Sequence, residues 1–418
     1  MRCDKFFPSK LWLPLAAAGV VLLLSACGGG GGGGGSSLST GGSDNEHPIA
    51  VTGGPTNNVN LLLTSVTICT PGSSSQCQTI PDILVDTGSF GLRIMASALN
   101  GNAVPTIVRN NANVPLFECA QFADGFTWGA IERVDVRMSD ERAANIPIQI
   151  IEDWDSAAIP DDCEGTGNNN STVANFGANG VLGIGVFKED CGSGCALIAD
   201  NGLYYACNDS SCEPSTASLT AQVRNPIADF AVNNNGVIID LPAVPDQGAA
   251  TVSGSMIFGI ATKSNNALGN ARVLNVNPGS GTFSSTVRTQ TFSQSFLDTG
   301  SNGLFFPYGS AFNDTELPTC DVNPAPDFFC PSTQVDATGI LQGYSNGNSV
   351  SADFSIGNAN DLLNDHPTFL AYSNIGAPIP ASFSNSFDWG LPFYFGRRVY
   401  TGFEDEQIGN IFGPFVAF

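Results

Sequence analysis

The sequence predicts an all-β protein with few short helices, built as two related halves, and three observations predict it. Glycine (48) and proline (25) are frequent among the 418 residues while only 13% are charged, a composition suited to short strands joined by many turns. Short apolar runs alternate with clusters of Gly, Pro, Ser and Asn, and no stretch sustains the apolar period of an amphipathic helix beyond a few turns. The phrase Asp-Thr-Gly-Ser-x-Gly-Leu occurs twice, from Asp86 to Leu92 and from Asp298 to Leu304. Its threonines, Thr87 and Thr299, stand 212 positions apart, so each half of a duplicated unit carries one copy.

The N-terminus has the form of an export signal. Arg2, Lys5 and Lys10 accompany an apolar run from Leu11 to Leu24, shorter than the ~20 residues a membrane-spanning helix needs. Leu24-Ser25-Ala26-Cys27 resembles the lipobox of bacterial lipoproteins. That resemblance implies removal of residues 1–26, lipidation at Cys27 and, because Gly28 follows the cysteine, delivery to the outer membrane, with attachment through the lipid anchor only. Gly28 to Gly35 is an unbroken glycine run followed by Ser-, Thr- and Asn-rich sequence to about Asn58, and such a composition cannot bury a core. Residues 27–58 are therefore expected to be a flexible tether, 59–245 an N-terminal lobe and 246–418 a C-terminal lobe. The boundary falls where Asn- and Pro-rich sequence brackets Val237-Ile238-Ile239.

Within the first half, Leu61 to Ile68, a turn at Pro71-Gly72, and Ile83 to Val85 read as strand, hairpin and strand leading into the first Asp-Thr-Gly. Phe126 to Ile131, Val134 to Val136 and Ile146 to Ile151 look like further hairpin strands, and Gly180-Val181-Leu182-Gly183-Ile184-Gly185 is an apolar run punctuated by glycine. The second half repeats the order. Gly254 to Gly259 opens a strand, Ser295 to Leu297 leads into the second Asp-Thr-Gly, and Trp389 to Gly396 takes the place of the glycine-punctuated run.

Acidic residues outnumber basic ones 38 to 15, a balance that repels nucleic-acid phosphate and anionic membrane surfaces. With His47 and His366 as the two histidines, a Ser-His-Asp enzyme or a multi-histidine metal site has almost nothing to be built from. Apart from Cys3 and Cys27, an even set of cysteines remains, as expected of an exported chain open to oxidation. Proximity pairs Cys69 with Cys77 and Cys320 with Cys330, puts some pairing within Cys191, Cys195, Cys207 and Cys212, and leaves Cys119 for Cys163. A zinc site from those four clustered cysteines is the alternative to disulfides.

An Asp at the end of a buried strand sits in a dry site, the glycine two residues on permits a tight turn, and the Thr and Ser hydroxyls can bond backbone or carboxylate oxygens. Two such turns face to face bring two carboxylates together, which cannot both ionise. One then serves as base and the other as acid on a shared water.

With these residues the chain resembles the pepsin-like aspartic proteases. Val66 to Pro71 is similar to that family's early strand and turn, Gly125 to Gly129 to its flap hairpin, Gly180 to Gly185 to the segment beneath its first catalytic loop, and Trp389 to Phe403 to its C-terminal segment. The resemblance covers roughly residues 60–418. It implies a bilobal double-ψ β-barrel with pseudo-twofold symmetry and catalytic Asp86 and Asp298, supported by Thr87, Gly88, Ser89, Thr299, Gly300 and Ser301. It further implies an extended polypeptide substrate, no metal or organic cofactor, no nucleic-acid partner and a monomer. Phe122, Gly125 and Trp128 are the flap and cleft candidates, with hairpin packing the favoured role for Trp128. Phe122 stands where the family usually has Tyr, Arg93 where many members carry Trp, and Pro392 where Gly is usual. The rival expectation is an inactive lipoprotein of the same fold that binds a peptide or envelope polymer between its lobes.

Overall fold

A computed structural model describes residues 44–152, 159–208, 211–313 and 315–418. The export signal, Cys27 and the glycine run lie outside the described residues. The described chain is all-β: strands dominate, and the longest α-helix, Ala359–Asp365, has 7 residues. Among the described residues no helix is long and apolar enough to cross a membrane.

One arrangement occurs twice. In the first half the hairpin Leu61–Cys69 and Cys77–Asp86, closed by the Cys69–Cys77 disulfide, delivers Asp86 at its end. The next strand, Phe90–Met95, does not pair directly with it. Gly180–Ile184 lies between them instead, parallel to Cys77–Asp86 and antiparallel to Phe90–Met95. In the second half Asp388–Trp389 lies in the same way between Gln290–Leu297 (parallel) and Leu304–Phe306 (antiparallel). Inserting a strand at that depth requires close backbone approach. A Cβ on Gly183 would stand 2.5 Å from the Phe90 nitrogen, and one on Gly390 would stand 2.0 Å from the Gly303 carbonyl oxygen, so only glycine fits.

The two arrangements are joined by shared strands and a shared core. Val252–Phe258 pairs with both Glu46–Thr52 and Gly236–Leu241, and the latter continues onto Arg397–Gly402 and then Phe415–Ala417. The expected boundary near residue 245 falls in the loop of a paired hairpin. One apolar cluster holds Val85, Leu92 and Leu182 together with Leu297, Leu304 and Trp389.

Two expectations need correction. The tether does not reach residue 58, because Glu46–Thr52 is a strand that pairs with Val252–Phe258 and with Leu61–Leu63. Its period-two alternation turns His47, Ile49 and Val51 inward, a pattern the glycine run upstream lacks. The runs Phe126–Ile131 and Val134–Val136 are one strand, Gly125–Met138, whose register against Glu141–Ile151 shifts between Val134 and Val136. There the Asp135 carboxylate accepts the Asn145 N–H at 2.7 Å and pairs with Arg142 at 2.6 Å, holding the bulge.

Among the described residues five disulfides are present. Cys69–Cys77, Cys119–Cys163 and Cys320–Cys330 pair as expected, and the four clustered cysteines resolve into Cys191–Cys195 and Cys207–Cys212. With their sulfurs bonded to each other, no thiolates remain there for zinc.

Removing Glu46–Thr52 should cost roughly 3–6 kcal/mol, from the burial of Ile49 and Val51 at ~1.5–3 kcal/mol each. The comparison is the denaturant midpoint of oxidised chains beginning at residue 44 and at residue 59; equal midpoints would show the strand to be dispensable.

Candidate active site

The two Asp-Thr-Gly turns meet, and they meet symmetrically. Thr87 N–H donates to Thr299 Oγ1 at 3.1 Å and Thr299 N–H donates to Thr87 Oγ1 at 3.0 Å. Each hydroxyl then donates across to the strand entering the other turn: Thr87 Oγ1 to the Leu297 carbonyl at 3.1 Å, Thr299 Oγ1 to the Val85 carbonyl at 2.7 Å. Both threonines are buried, so these four bonds satisfy backbone groups with no access to water.

The same closure sets the glycines against the opposing acids. A Cβ on Gly88 would lie 2.6 Å from the Asp298 Cγ, and one on Gly300 would lie 2.8 Å from the Asp86 Cγ. Both positions must be glycine for the carboxyls to come together. Asp298 is raised well above the ordinary carboxyl range by burial, then by the Asp86 and Asp388 charges and a hydrogen bond with Asp86. Asp86 is buried, Asp298 half-buried and Gly88 exposed, so the pair lies just beneath a solvent-facing surface.

Hydrogen bonding distinguishes the two acids. Asp86 accepts the Gly88 N–H at 2.7 Å and the Ser89 N–H at 3.2 Å on Oδ1, and the Ser89 hydroxyl at 2.5 Å on Oδ2. Asp298 accepts the Gly300 N–H at 2.7 Å, but its other contact, Ser301 Oγ at 3.0 Å, is shared with Asp388 Oδ2 at 2.5 Å. A hydroxyl has one proton to donate. Negative charge is therefore better stabilised on Asp86, and the pair's proton sits better on Asp298.

The three other candidates are distributed differently. Phe122 and Gly125 face each other across the Ala123-Asp124 turn of a hairpin between Leu116–Phe122 and Gly125–Met138. Phe122 packs edge-on against Phe176 at 5.7 Å, with the Arg93 guanidinium 6.0 Å from its ring centroid. Gly125 is pressed against a short parallel strand, Asn168–Asn169, where a Cβ would stand 2.1 Å from the Asn168 carbonyl oxygen. Trp128 lines no cleft. It is fully buried, 5.6 Å from Phe117 and 5.5 Å from Tyr205 in a cluster that includes Cys119 and Cys163. Burial pushes Asp124, at the hairpin turn, up to about 6.

Arg93 links this hairpin to the first turn. Its guanidinium donates to the Phe90 carbonyl at 2.8 Å and pairs with Glu118 at 2.6 Å and Asp190 at 3.0 Å, all three side chains being almost fully buried. Burial and the neighbouring Glu118 hold Asp190 well above the carboxylate range, and the Tyr204 hydroxyl donates to it at 2.8 Å.

Sequence reasoning missed Asp388 and Tyr394. Tyr394 Oη lies 2.8 Å from Thr87 Oγ1 and is fully buried. Asp388 had a signal: strand register pairs Leu297 with Trp389 and Val85 with Leu182, so Asp388 occupies the place that Val181 fills in the first half. An acid standing in for a buried valine in an internal repeat calls for an explanation.

Thr299→Val should destabilise the protein by about 2–4 kcal/mol, since it leaves the Thr87 N–H without an acceptor and the Val85 carbonyl without a donor. Thr87→Val should cost a similar amount, and the double variant less than their sum. Urea unfolding of all three tests this; strict additivity would mean the two threonines act independently.

A search of curated proteins finds no match to this sequence. Residues 41–418 match a family described as "Protein of unknown function (DUF3443)". That match takes in both Asp-Thr-Gly turns and every strand described above, and the chain belongs to this family.

Proposed function

We propose that this chain is an aspartic endopeptidase of the pepsin-like, two-lobed double-ψ β-barrel class, held at the bacterial outer membrane by a lipid on Cys27 and a glycine-rich tether. The observation that carries the proposal is the reciprocal clasp of Thr87 and Thr299, which sets Asp86 and Asp298 against each other. A structural turn would need one such phrase. Two that brace each other and share a proton supply the acid and base that amide hydrolysis requires.

In this mechanism a water is held between the two carboxyls. Asp86, with three donors already on its oxygens, takes the water's proton as its oxygen attacks the amide carbon. Asp298, raised above the ordinary carboxyl range by burial and by the neighbouring acids, serves as the acid and donates a proton to the carbonyl oxygen. As the resulting diol collapses and the C–N bond breaks, one of its hydroxyls returns a proton to Asp298 and the proton held by Asp86 passes to the leaving amine, which restores both carboxyls with no covalent enzyme intermediate. An extended peptide suits a site built at strand ends, where backbone hydrogen bonds can hold it.

The pH dependence follows from the proton count. Asp298 is raised, so the acid form is present below its value and lost as pH rises through it; at low pH the pair takes up a second proton and the base is lost. Cleavage of denatured protein by residues 44–418 should therefore show a bell-shaped acidic optimum between about pH 3 and 7. A transition-state-mimicking aspartic protease inhibitor should abolish it, and Asp86→Asn or Asp298→Asn should each lower the rate by at least about a hundredfold. Cleavage that survives either substitution would refute the proposal. Inhibitor binding without cleavage would favour an inactive binding protein of the same fold.

A further inference from the structure

The proposal concerns Asp388 and rests on the hydrolase reading above. Its Oδ2 is 2.5 Å from Ser301 Oγ, its Oδ1 is buried with no hydrogen-bond partner among the described residues, and the residue is 5% exposed. Burying a carboxyl with one oxygen unsatisfied is costly, and the equivalent position in the other half is Val181, which has no such cost. The titratable groups facing this corner are Asp86, Asp298 and Tyr394. None of them is a cation that would hold Asp388 as a simple ion pair.

Ser301 Oγ lies between Asp298 Oδ2 at 3.0 Å and Asp388 Oδ2 at 2.5 Å. A hydroxyl donates once and can accept on its lone pairs, so the three groups form a chain that runs in either direction. With the proton on Asp298, Asp298 donates to Ser301 and Ser301 to Asp388. With it on Asp388, both bonds reverse. Passing between the two states breaks one O–H bond and forms one at the serine, moves one proton from Asp388 to Asp298, and transfers no electrons.

We propose that Asp388 is a positioning residue for Asp298: through the Ser301 hydroxyl the two carboxyls share a proton, so that Asp298 remains an acid to higher pH than the Asp86–Asp298 pair alone would allow. Burial, the largest cause, also holds Asp388 itself well above the carboxylate range, as a group that retains a proton must be. Ser89 has no counterpart to this arrangement, since Val181 stands where the third acid would be, and the asymmetry assigns the acid role to the second turn.

The test follows the carboxyl carbons of 13C-labelled aspartate by NMR across pH in the oxidised chain, with Asp86→Asn and Asp298→Asn used for assignment. Asp388→Asn should lower the apparent pKa of the Asp298 resonance by about one unit and move the alkaline limb of kcat/KM down by a similar amount. Asp388→Val, which installs the first-half residue, should do the same and serves if the amide variant does not fold. In a Ser301→Ala background the effect of Asp388→Asn should shrink markedly. An unmoved Asp298 titration in both Asp388 variants overturns the proposal. An equal shift with and without Ser301 also overturns it, because Asp388 would then act as a charge and not through the hydroxyl. Because the titration needs no turnover, a shifted resonance in a chain that cleaves nothing would sink the hydrolase reading and leave this proton sharing standing.

Discussion

The structure depends on one reciprocal contact, the crossing of the Thr87 and Thr299 hydroxyls. Each side chain caps the backbone N–H of the other turn and bonds the strand that enters it. Turns distant in sequence are thereby locked to each other, and four buried backbone groups find their partners only in that locked state. The cost of an unsatisfied buried donor or acceptor makes partial separation unfavourable. Everything the site does follows from this constraint, since Asp86 and Asp298 are the residues immediately preceding the threonines.

Around the clasp, packing leaves little latitude. Gly183 and Gly390 let an inner strand pass beneath each turn, and Gly88 and Gly300 let each turn approach the opposite carboxyl. Asn60 adds a tie between the halves: its buried amide donates to the Asn302 carbonyl at 2.8 Å and the Tyr372 carbonyl at 2.9 Å, and accepts the Tyr372 N–H at 2.8 Å. The entry to the strand Leu61–Cys69 is thus fixed to the second Asp-Thr-Gly turn. A close-packed interior transmits such constraints with little slack.

The hairpin carrying Phe122 is bound into its surroundings on several sides. The Cys119–Cys163 disulfide, the Asn168–Asn169 pairing, the Ser171 hydroxyl accepting the Trp128 N–H at 3.0 Å, and the Arg93–Glu118 ion pair all hold it. Arg93 also bonds the Phe90 carbonyl, so a buried guanidinium takes up the space between hairpin and first turn. A buried pair of this kind costs much when one partner is removed, which gives the hairpin a fixed seat relative to the turn.

The sequence by itself determined the strand-rich class, the duplicated Asp-Thr-Gly turns, the glycine-punctuated inner strand Gly180–Ile184 and two of the disulfides, Cys69–Cys77 and Cys320–Cys330. Each is written locally: an apolar run, a turn residue, a repeated phrase, or two cysteines a few positions apart. Tertiary structure alone decided the rest. Glu46–Thr52 reads as tether until its alternating residues find Val252–Phe258. Trp128 reads as hairpin packing from the sequence, but its partners are fixed only when the Cys119–Cys163 cluster closes around it. Asp388 gains its meaning only when strand pairing sets it beside Ser301 in the place of a valine. These outcomes depend on which strands lie next to one another, and that is settled by the burial of side chains far apart in the chain, which no local pattern encodes.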